Sequence, residues 1–199
     1  MWKIKLTYEA VCERASMNVG QQMAGDFRTR SGVDGGGADR LGTLEWLLEL
    51  PVSELHGRYG RAKVPRLEDV DGDLHGRMLA WPMLDGHPIA QGALRAFAGS
   101  SSFPWRGKSF RGDPARGDGI NRVFTDRFRR FRFETFIGAS RAGDFDALQL
   151  DYDLPGNPPV IRSIKDEIRE IEPGVWLGQA YLQAGGRDRL WLYFALAKP

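Results

Sequence analysis

The stretch FRFETFIGASRAGDFDALQLDYD, residues 131–153, decides the fold class of this 199-residue chain. Its apolar and polar side chains alternate with a period of two on both sides of the turn-forming sequence RAGD, which is typical of two antiparallel strands with one face toward a core. Gln149 and Asp151 would face water on the other side. The side chains predicted to face the core are Phe131, Phe133, Thr135, Ile137, Leu148, Leu150 and Tyr152.

Short apolar runs separated by turn sequences continue on both sides of this hairpin. They are HGRMLAW (75–81), WRGKSF (105–110), GINRVF (119–124), VWLGQAYL (175–182) and LWLYFALA (190–197). Such a rhythm is typical of an antiparallel meander, and a meander that closes on itself forms a small barrel able to hold side chains or one small ligand. We therefore predict a mainly β protein, an antiparallel up-and-down β-barrel with one or two short helices near the N-terminus.

The segment PPVIRSIKDEIREIEPG, residues 158–174, is compatible with a helix or a strand. Its isoleucines at 161, 164, 168 and 171 have helical spacing. We interpret the segment as a strand because a Pro-Gly turn and another apolar run follow it at once. The final run, 190–197, is apolar on both faces, which predicts that an element outside the barrel wall covers it, with the helix that carries Leu44 as the candidate.

The chain divides at Leu41. Residues 1–40 are rich in glycine and charge and are predicted to form a flexible arm, with a docking peptide or a lid as the alternative. Residues 41–199 form the barrel domain. After Leu41 we predict a short helix with Thr43 as its N-cap that closes one end of the barrel. Its apolar face would carry Leu44, Leu47 and Leu48.

The long connection from Pro82 to Ser102 mixes Gly, Pro and Ser, with a helical turn expected at 92–98. Long ordered connections are often functional. We predict that this one covers a pocket.

Composition argues against several function classes. The chain has 28 basic and 26 acidic residues, a net charge of +2, and the two signs are interspersed, so we expect no nucleic-acid partner and no membrane partner. The run DRFRRFRF, residues 126–133, is interpreted as a half-buried strand with a solvated basic face. No phosphate-binding loop is present, so no cofactor is expected. Cys12 is the single cysteine, which fits a reducing bacterial cytoplasm.

The three histidines, at positions 56, 75 and 87, have no metal-ligand spacing, so no metal site is predicted.

If 158–174 is a strand, Arg162 and Asp166 share the face that carries Ile164 and Ile168. An unpaired buried charge is costly, so the two are expected to pair, either to orient a ligand or as a structural salt bridge. Asp166 and Tyr152 are the catalytic candidates, with Glu167 as a second general base. The predicted ligand-binding residues are Trp105, Phe133, Tyr152, Arg162, Asp166 and Tyr181.

The sequences WRGKSF, NRVF, IKDEIREIEPGVWLG and YFAL resemble those of lipocalin-like (calycin-like) bacterial barrel proteins over residues 41–199. Where lipocalin-type barrels carry Gly-x-Trp, this chain has Gly57-Arg58-Tyr59. The resemblance implies a barrel that binds a small, mostly apolar molecule, and in some relatives a cofactor-independent isomerase, cyclase or decarboxylase.

We therefore predict a small-molecule binding protein. The alternatives are a cofactor-independent cyclase or isomerase using the same pocket, and an interaction module whose N-terminal arm recruits a partner. The oligomeric state is left open, with a homodimer as one alternative.

Overall fold

A computed structural model describes residues 36–100, 103–112, 116–124 and 128–199 of the chain. Most of the predicted arm, residues 1–35, lies outside the described residues. The first described element, helix α1 (Gly36–Glu49), begins five residues before the predicted division at Leu41.

Eight strands follow one another around a closed barrel, and each pairs antiparallel with its neighbours in the chain. The last strand pairs with the first and closes the sheet. This confirms the predicted up-and-down barrel. The strands are β1 (Gly72–Ala80), β2 (Trp105–Gly112), β3 (Gly117–Val123), β4 (Arg129–Ala139), β5 (Asp146–Asp151), β6 (Ile164–Glu172), β7 (Val175–Ala184) and β8 (Arg187–Ala197).

Within the described residues, three helices precede β2, and one helical turn precedes β6. They are α1 (Gly36–Glu49), α2 (Val52–Arg61), α3 (Pro88–Gly99) and α4 (Pro159–Arg162), with short 3₁₀ helices at Leu67–Val70 and Pro82–Leu84. The strand interpretation of 158–174 is thus right from Ile164 onward. The first residues form a helical turn because prolines at its start fix φ near the helical value.

One half of the barrel interior is filled with side chains. The 3₁₀ helix Leu67–Val70 lies at the end where β1 begins, and the inward residues beside it form one buried cluster. Gly178 lies against Phe194 there, and a Cβ at Gly178 would come within 2.2 Å of that ring. The cluster includes Leu67, Val70, Leu74, Phe110, Phe133, Leu148, Leu150, Ile168, Trp176 and Leu196.

The outer face of the barrel is buried too, on the side where β1, β7 and β8 meet. Leu44, Leu47 and Leu48 of α1 pack with outward residues such as Tyr193 and Ala195 of β8. This confirms that an outside element covers the last strand. The prediction that the helix closes the barrel end is wrong, because its apolar stripe finds a larger apolar surface on the wall.

Two further local predictions are corrected. Thr43 is not an N-cap, since it lies inside α1, and its hydroxyl donates to Glu172 Oε1 at 2.6 Å. Residues 82–100 of the connection that was predicted to cover a pocket do not cover the cavity. Their helix, α3, packs beside α1 on the outer wall through Leu94 and Ala98.

The predicted alternation holds in β4 from Phe131 to Thr135, whereas β5 is buried on both faces from Ala147 to Leu150. Phe133 and Thr135 of β4 are buried as predicted, as are Leu148, Leu150 and Tyr152. Ile137, however, is 41% exposed. Gln149 is buried rather than solvated because the loop after β4 folds over it, and Arg141 Nη1 donates to Gln149 Oε1 at 2.5 Å.

Candidate ligand-binding site

The other half of the barrel holds a cavity of about 270 Å³. It lies at the end where β1, β3, β5 and β7 finish and where β2, β4, β6 and β8 begin. The lining is mostly apolar. It consists of Met78, Phe103, Trp105, Lys108, Asn121, Val123, Phe131, Tyr152, Ile161, Ile164, Asp166, Ala180, Trp191, Leu192 and Phe194.

Four of these residues form what we call the polar cluster: Lys108, Asn121, Tyr152 and Asp166. Lys108 is 3% exposed, and its ammonium donates to Asp166 Oδ2 at 2.9 Å, to Asn121 Oδ1 at 2.9 Å and to Tyr152 Oη at 2.5 Å. Tyr152 Oη in turn donates to Asp166 Oδ2 at 3.1 Å. Three strands and the residue after β5 thus bring their polar groups to one point inside the barrel.

Aromatic rings surround this point. The Lys108 Nζ atom lies 5.2 Å from the ring centres of Tyr152 and Phe194, 5.3 Å from that of Phe133 and 5.4 Å from that of Trp105. The negative faces of such rings attract a cation that has lost its water. The polar cluster therefore separates the packed half of the barrel, which contains Phe133, from the cavity.

Burial shifts the proton affinities of two members of the polar cluster. Desolvation lowers the pKa of the Lys108 ammonium, and the charge and hydrogen bond of Asp166 oppose that shift. Desolvation, followed by the charge of Asp166, raises the pKa of the Tyr152 phenol well above its usual range. Tyr152 is therefore a protonated hydrogen-bond donor at neutral pH.

Two irregularities in the sheet place aromatic side chains in the cavity. A register shift between Trp105 and Gly107 breaks the alternation of β2, and the Trp105 ring lies over Gly76, where a Cβ would come within 2.6 Å of it. On β4, Phe131 has no pairing partner on β3 and adopts a left-handed φ of 62°. Bulges of this kind often redirect a side chain at a barrel rim.

Three of the predicted ligand-binding residues line the cavity together: Trp105, Tyr152 and Asp166. The Trp105 indole Nε1 donates to Asn121 Oδ1 at 3.0 Å, which ties it to the polar cluster. Phe133 lies on the packed side, with its ring centre 5.2 Å from that of Tyr152.

The remaining predicted residues lie elsewhere. Tyr181 is on the outer face of β7, where its hydroxyl donates to Gln179 Oε1 at 2.6 Å. The predicted pairing of Arg162 with Asp166 is wrong: Arg162 lies in α4 and pairs at 2.6 Å with Asp153, and both side chains are exposed. The physical reason is that the helical turn takes Arg162 out of the strand, so it does not share the inward face of Asp166.

Glu167, the alternative general base, is also on the outer face. It is fully buried there and accepts hydrogen bonds from Tyr59 Oη at 3.0 Å, from Ser140 Oγ at 2.6 Å and from the backbone N–H of Arg141 at 3.0 Å. These three donors come from α2 and from the loop after β4. Glu167 thus connects these elements to the barrel wall. None of these hydrogen bonds involves a residue that lines the cavity.

Sequence reasoning missed Lys108 and Asn121. A signal for Lys108 was present, since it stands two residues before the inward Phe110 in WRGKSF and therefore shares its face. Asn121 likewise stands two residues after Gly119, which faces the Phe133 ring.

Among the described residues, no helix is long and apolar enough to cross a membrane. The same part of the chain contains no group of three or more His, Cys, Asp or Glu side chains placed to hold a metal ion. His56 lies with its Nδ1 atom 3.2 Å from Tyr193 Oη.

No protein-family model matches the chain, and no curated protein matches it. Among solved structures, the crystal structure of a protein from Thermomonospora curvata aligns with a TM-score of 0.47 and 16% sequence identity, over 81% of this chain and 97% of that chain.

Proposed function

We propose that this protein binds a small, mostly apolar molecule in the barrel cavity. The observation that carries the proposal is the division of the interior into a packed half and a cavity of about 270 Å³. Ligand pockets are typically lined by apolar and aromatic side chains with a few convergent polar groups, and their volumes start near ~300 Å³. A cavity of this size suits a compact ligand of one to three fused rings.

The resemblance of residues 41–199 to lipocalin-like bacterial proteins supports the same proposal. Eight-stranded up-and-down barrels of that class hold one small ligand inside. We extend the proposal accordingly to a lipocalin-like carrier in the cytoplasm of a bacterium. The homodimer and the flexible arm stay predictions.

Fluorescence of 1-aminoanthracene, a neutral probe that brightens in apolar surroundings, tests the proposal. We expect saturable enhancement with the full chain. Ala180→Phe should abolish it because Ala180 lines the cavity, whereas Ala184→Phe, at an exposed position of the same strand, should leave it unchanged. Ile161→Trp, at a half-buried position of the lining, provides a second blocking variant if Ala180→Phe fails to fold. Equal enhancement in all four proteins would overturn the proposal.

A second candidate function is a cofactor-independent enzyme such as a cyclase or isomerase. The observation that favours it is the 3.1 Å contact between Tyr152 Oη and Asp166 Oδ2 beside the cavity, which pairs a proton donor with a proton acceptor. This candidate requires turnover. Metabolite extract incubated with the protein would show a new product that is absent with Tyr152→Phe.

A further inference from the structure

The donors of the polar cluster are all in use. As an ammonium group, Lys108 has three N–H bonds, and these go to Asn121, Tyr152 and Asp166. Asn121 Nδ2 donates to Tyr152 Oη at 3.0 Å and to the backbone carbonyl of Phe131 at 3.3 Å. The hydroxyl proton of Tyr152 goes to Asp166 Oδ2. The cluster therefore has no hydrogen-bond donor left for a ligand.

One acceptor of the polar cluster is unused. Asp166 is 5% exposed and lines the cavity; its Oδ2 atom accepts two hydrogen bonds, but its Oδ1 atom is buried and has no partner in the described part of the chain. Buried polar atoms almost always have a partner, and a carboxylate oxygen without one is costly. An unpaired buried acceptor of this kind favours a hydrogen-bond donor as its partner.

The charges in the cluster are already balanced. The Lys108 ammonium and the Asp166 carboxylate lie 2.9 Å apart and cancel each other. A ligand carboxylate at this point would be desolvated beside Asp166 without a free donor from the cluster. Trp191 brings another indole to the lining, but a single neutral N–H is a weak anchor for an anion.

We propose, on the basis of the binding function proposed above, that the ligand is a neutral, mostly apolar molecule bearing a hydroxyl or N–H group that donates to Asp166 Oδ1. Fatty acids and other apolar carboxylates are then poor ligands. This preference for a neutral donor over a carboxylate follows from which hydrogen-bonding atoms of the polar cluster are paired and which are not.

Calorimetric titration of the full chain with matched naphthalenes tests this. A hydrogen bond to a charged group corresponds to about a tenfold to hundredfold difference in affinity. We therefore expect 2-naphthol to bind at least about tenfold more tightly than 2-methylnaphthalene, its near-isostere without a donor, and than 2-methoxynaphthalene, which only accepts. We also expect 2-naphthoate to bind most weakly.

Asp166→Asn gives the sharper test. The amide oxygen can keep accepting from Lys108 and Tyr152, while the amide N–H takes the place of Oδ1, so the advantage of 2-naphthol over 2-methoxynaphthalene should disappear. Asp153→Asn, at an exposed position outside the cavity lining, should keep the advantage intact. Far-ultraviolet circular dichroism establishes that each variant is folded.

The outcomes separate the two proposals. If none of the four naphthalenes binds while the protein is folded, the binding function itself fails. If they bind equally, or if 2-naphthoate binds best, the cavity binds ligands but the donor requirement is overturned.

Discussion

Lys108 lies among four aromatic rings and three hydrogen-bond acceptors in the middle of the barrel. A buried ion pair contributes little net stability compared with apolar residues of the same size, but breaking it leaves an uncompensated charge. Replacing one partner of the Lys108–Asp166 pair should therefore cost more stability than replacing both.

Lys108→Met should destabilise the protein by about 3 to 5 kcal/mol, because Asp166 would stay buried without its cation. The double variant Lys108→Met, Asp166→Leu should recover at least half of that loss, since neither charge remains. Urea unfolding at neutral pH measures both. A loss below about 1 kcal/mol in the single variant would show that the carboxylate escapes to water or is neutralised.

The same residue shows what a local pattern predicts. Period-two alternation places Lys108 on the inward face of β2, two positions before Phe110. It does not tell which carboxylate neutralises it, because Asp166 is 58 residues away in sequence.

Between elements, a buried phenol links α2 to β6. Tyr59 is fully buried, and its hydroxyl donates to the Glu167 carboxylate on the outer face of the barrel. Tyr181 makes a comparable hydrogen bond on β7, but to the neutral amide of Gln179. The two tyrosines form a matched pair that differs in the charge of the acceptor.

Tyr59→Phe should cost about 1.5 to 3 kcal/mol of unfolding free energy, and Tyr181→Phe about 0.5 to 1.5 kcal/mol, because hydrogen bonds to charged groups contribute more. Denaturant unfolding of the two variants beside the wild type gives the comparison. Tyr181→Phe should also leave 1-aminoanthracene binding unchanged, since Tyr181 lies outside the cavity lining. A larger loss for Tyr181→Phe would contradict the assignment of Glu167 as the charged anchor of α2.

The elements themselves followed from short-range sequence features. Apolar runs between turn residues indicated the strands, with β6 left between helix and strand by its isoleucine spacing, and prolines account for the turn that precedes β6. What these features could not predict was where the helices pack. A helix with an apolar stripe can pack on a barrel end or on a barrel wall. Here the stripe packs on the outer face of β8, which is apolar on both faces.

At the scale of the whole molecule, four buried phenols couple folding to alkaline pH. Burial is the first cause that raises the pKa of Tyr59, Tyr152, Tyr181 and Tyr193 above the ordinary value of 10.0. The folded state therefore keeps these protons at a pH where the unfolded chain releases them. Their contribution to stability is complete below pH 10 and is lost as pH rises further. The pKa of Lys108 is lowered from its ordinary value of 10.5, so below pH 10.5 this residue makes the unfolding free energy rise with pH.

We therefore expect the unfolding free energy to fall between about pH 10 and pH 12, by up to about 1.4 kcal/mol per pH unit for each phenol that stays protonated only in the folded state. Urea unfolding across this range, with near-ultraviolet absorbance of phenolate as a second signal, measures the effect. Tyr193→Phe should make the fall of unfolding free energy with pH less steep, by the contribution of one proton. Ionisation of all five tyrosines near pH 10 in a folded protein would contradict the burial of the phenols.

Side-chain alternation and turn chemistry predict the barrel and the order of its strands, because both are properties of neighbouring residues. The sequence also indicated Trp105, Tyr152 and Asp166, which the structure places in one cavity lining. Three features are visible only in the folded chain: Arg162 pairs with Asp153, Tyr181 faces outward, and Lys108 is the partner of Asp166. The reason is that barrel closure brings together strands far apart in the chain, and bulges and helical turns reset which face a side chain joins.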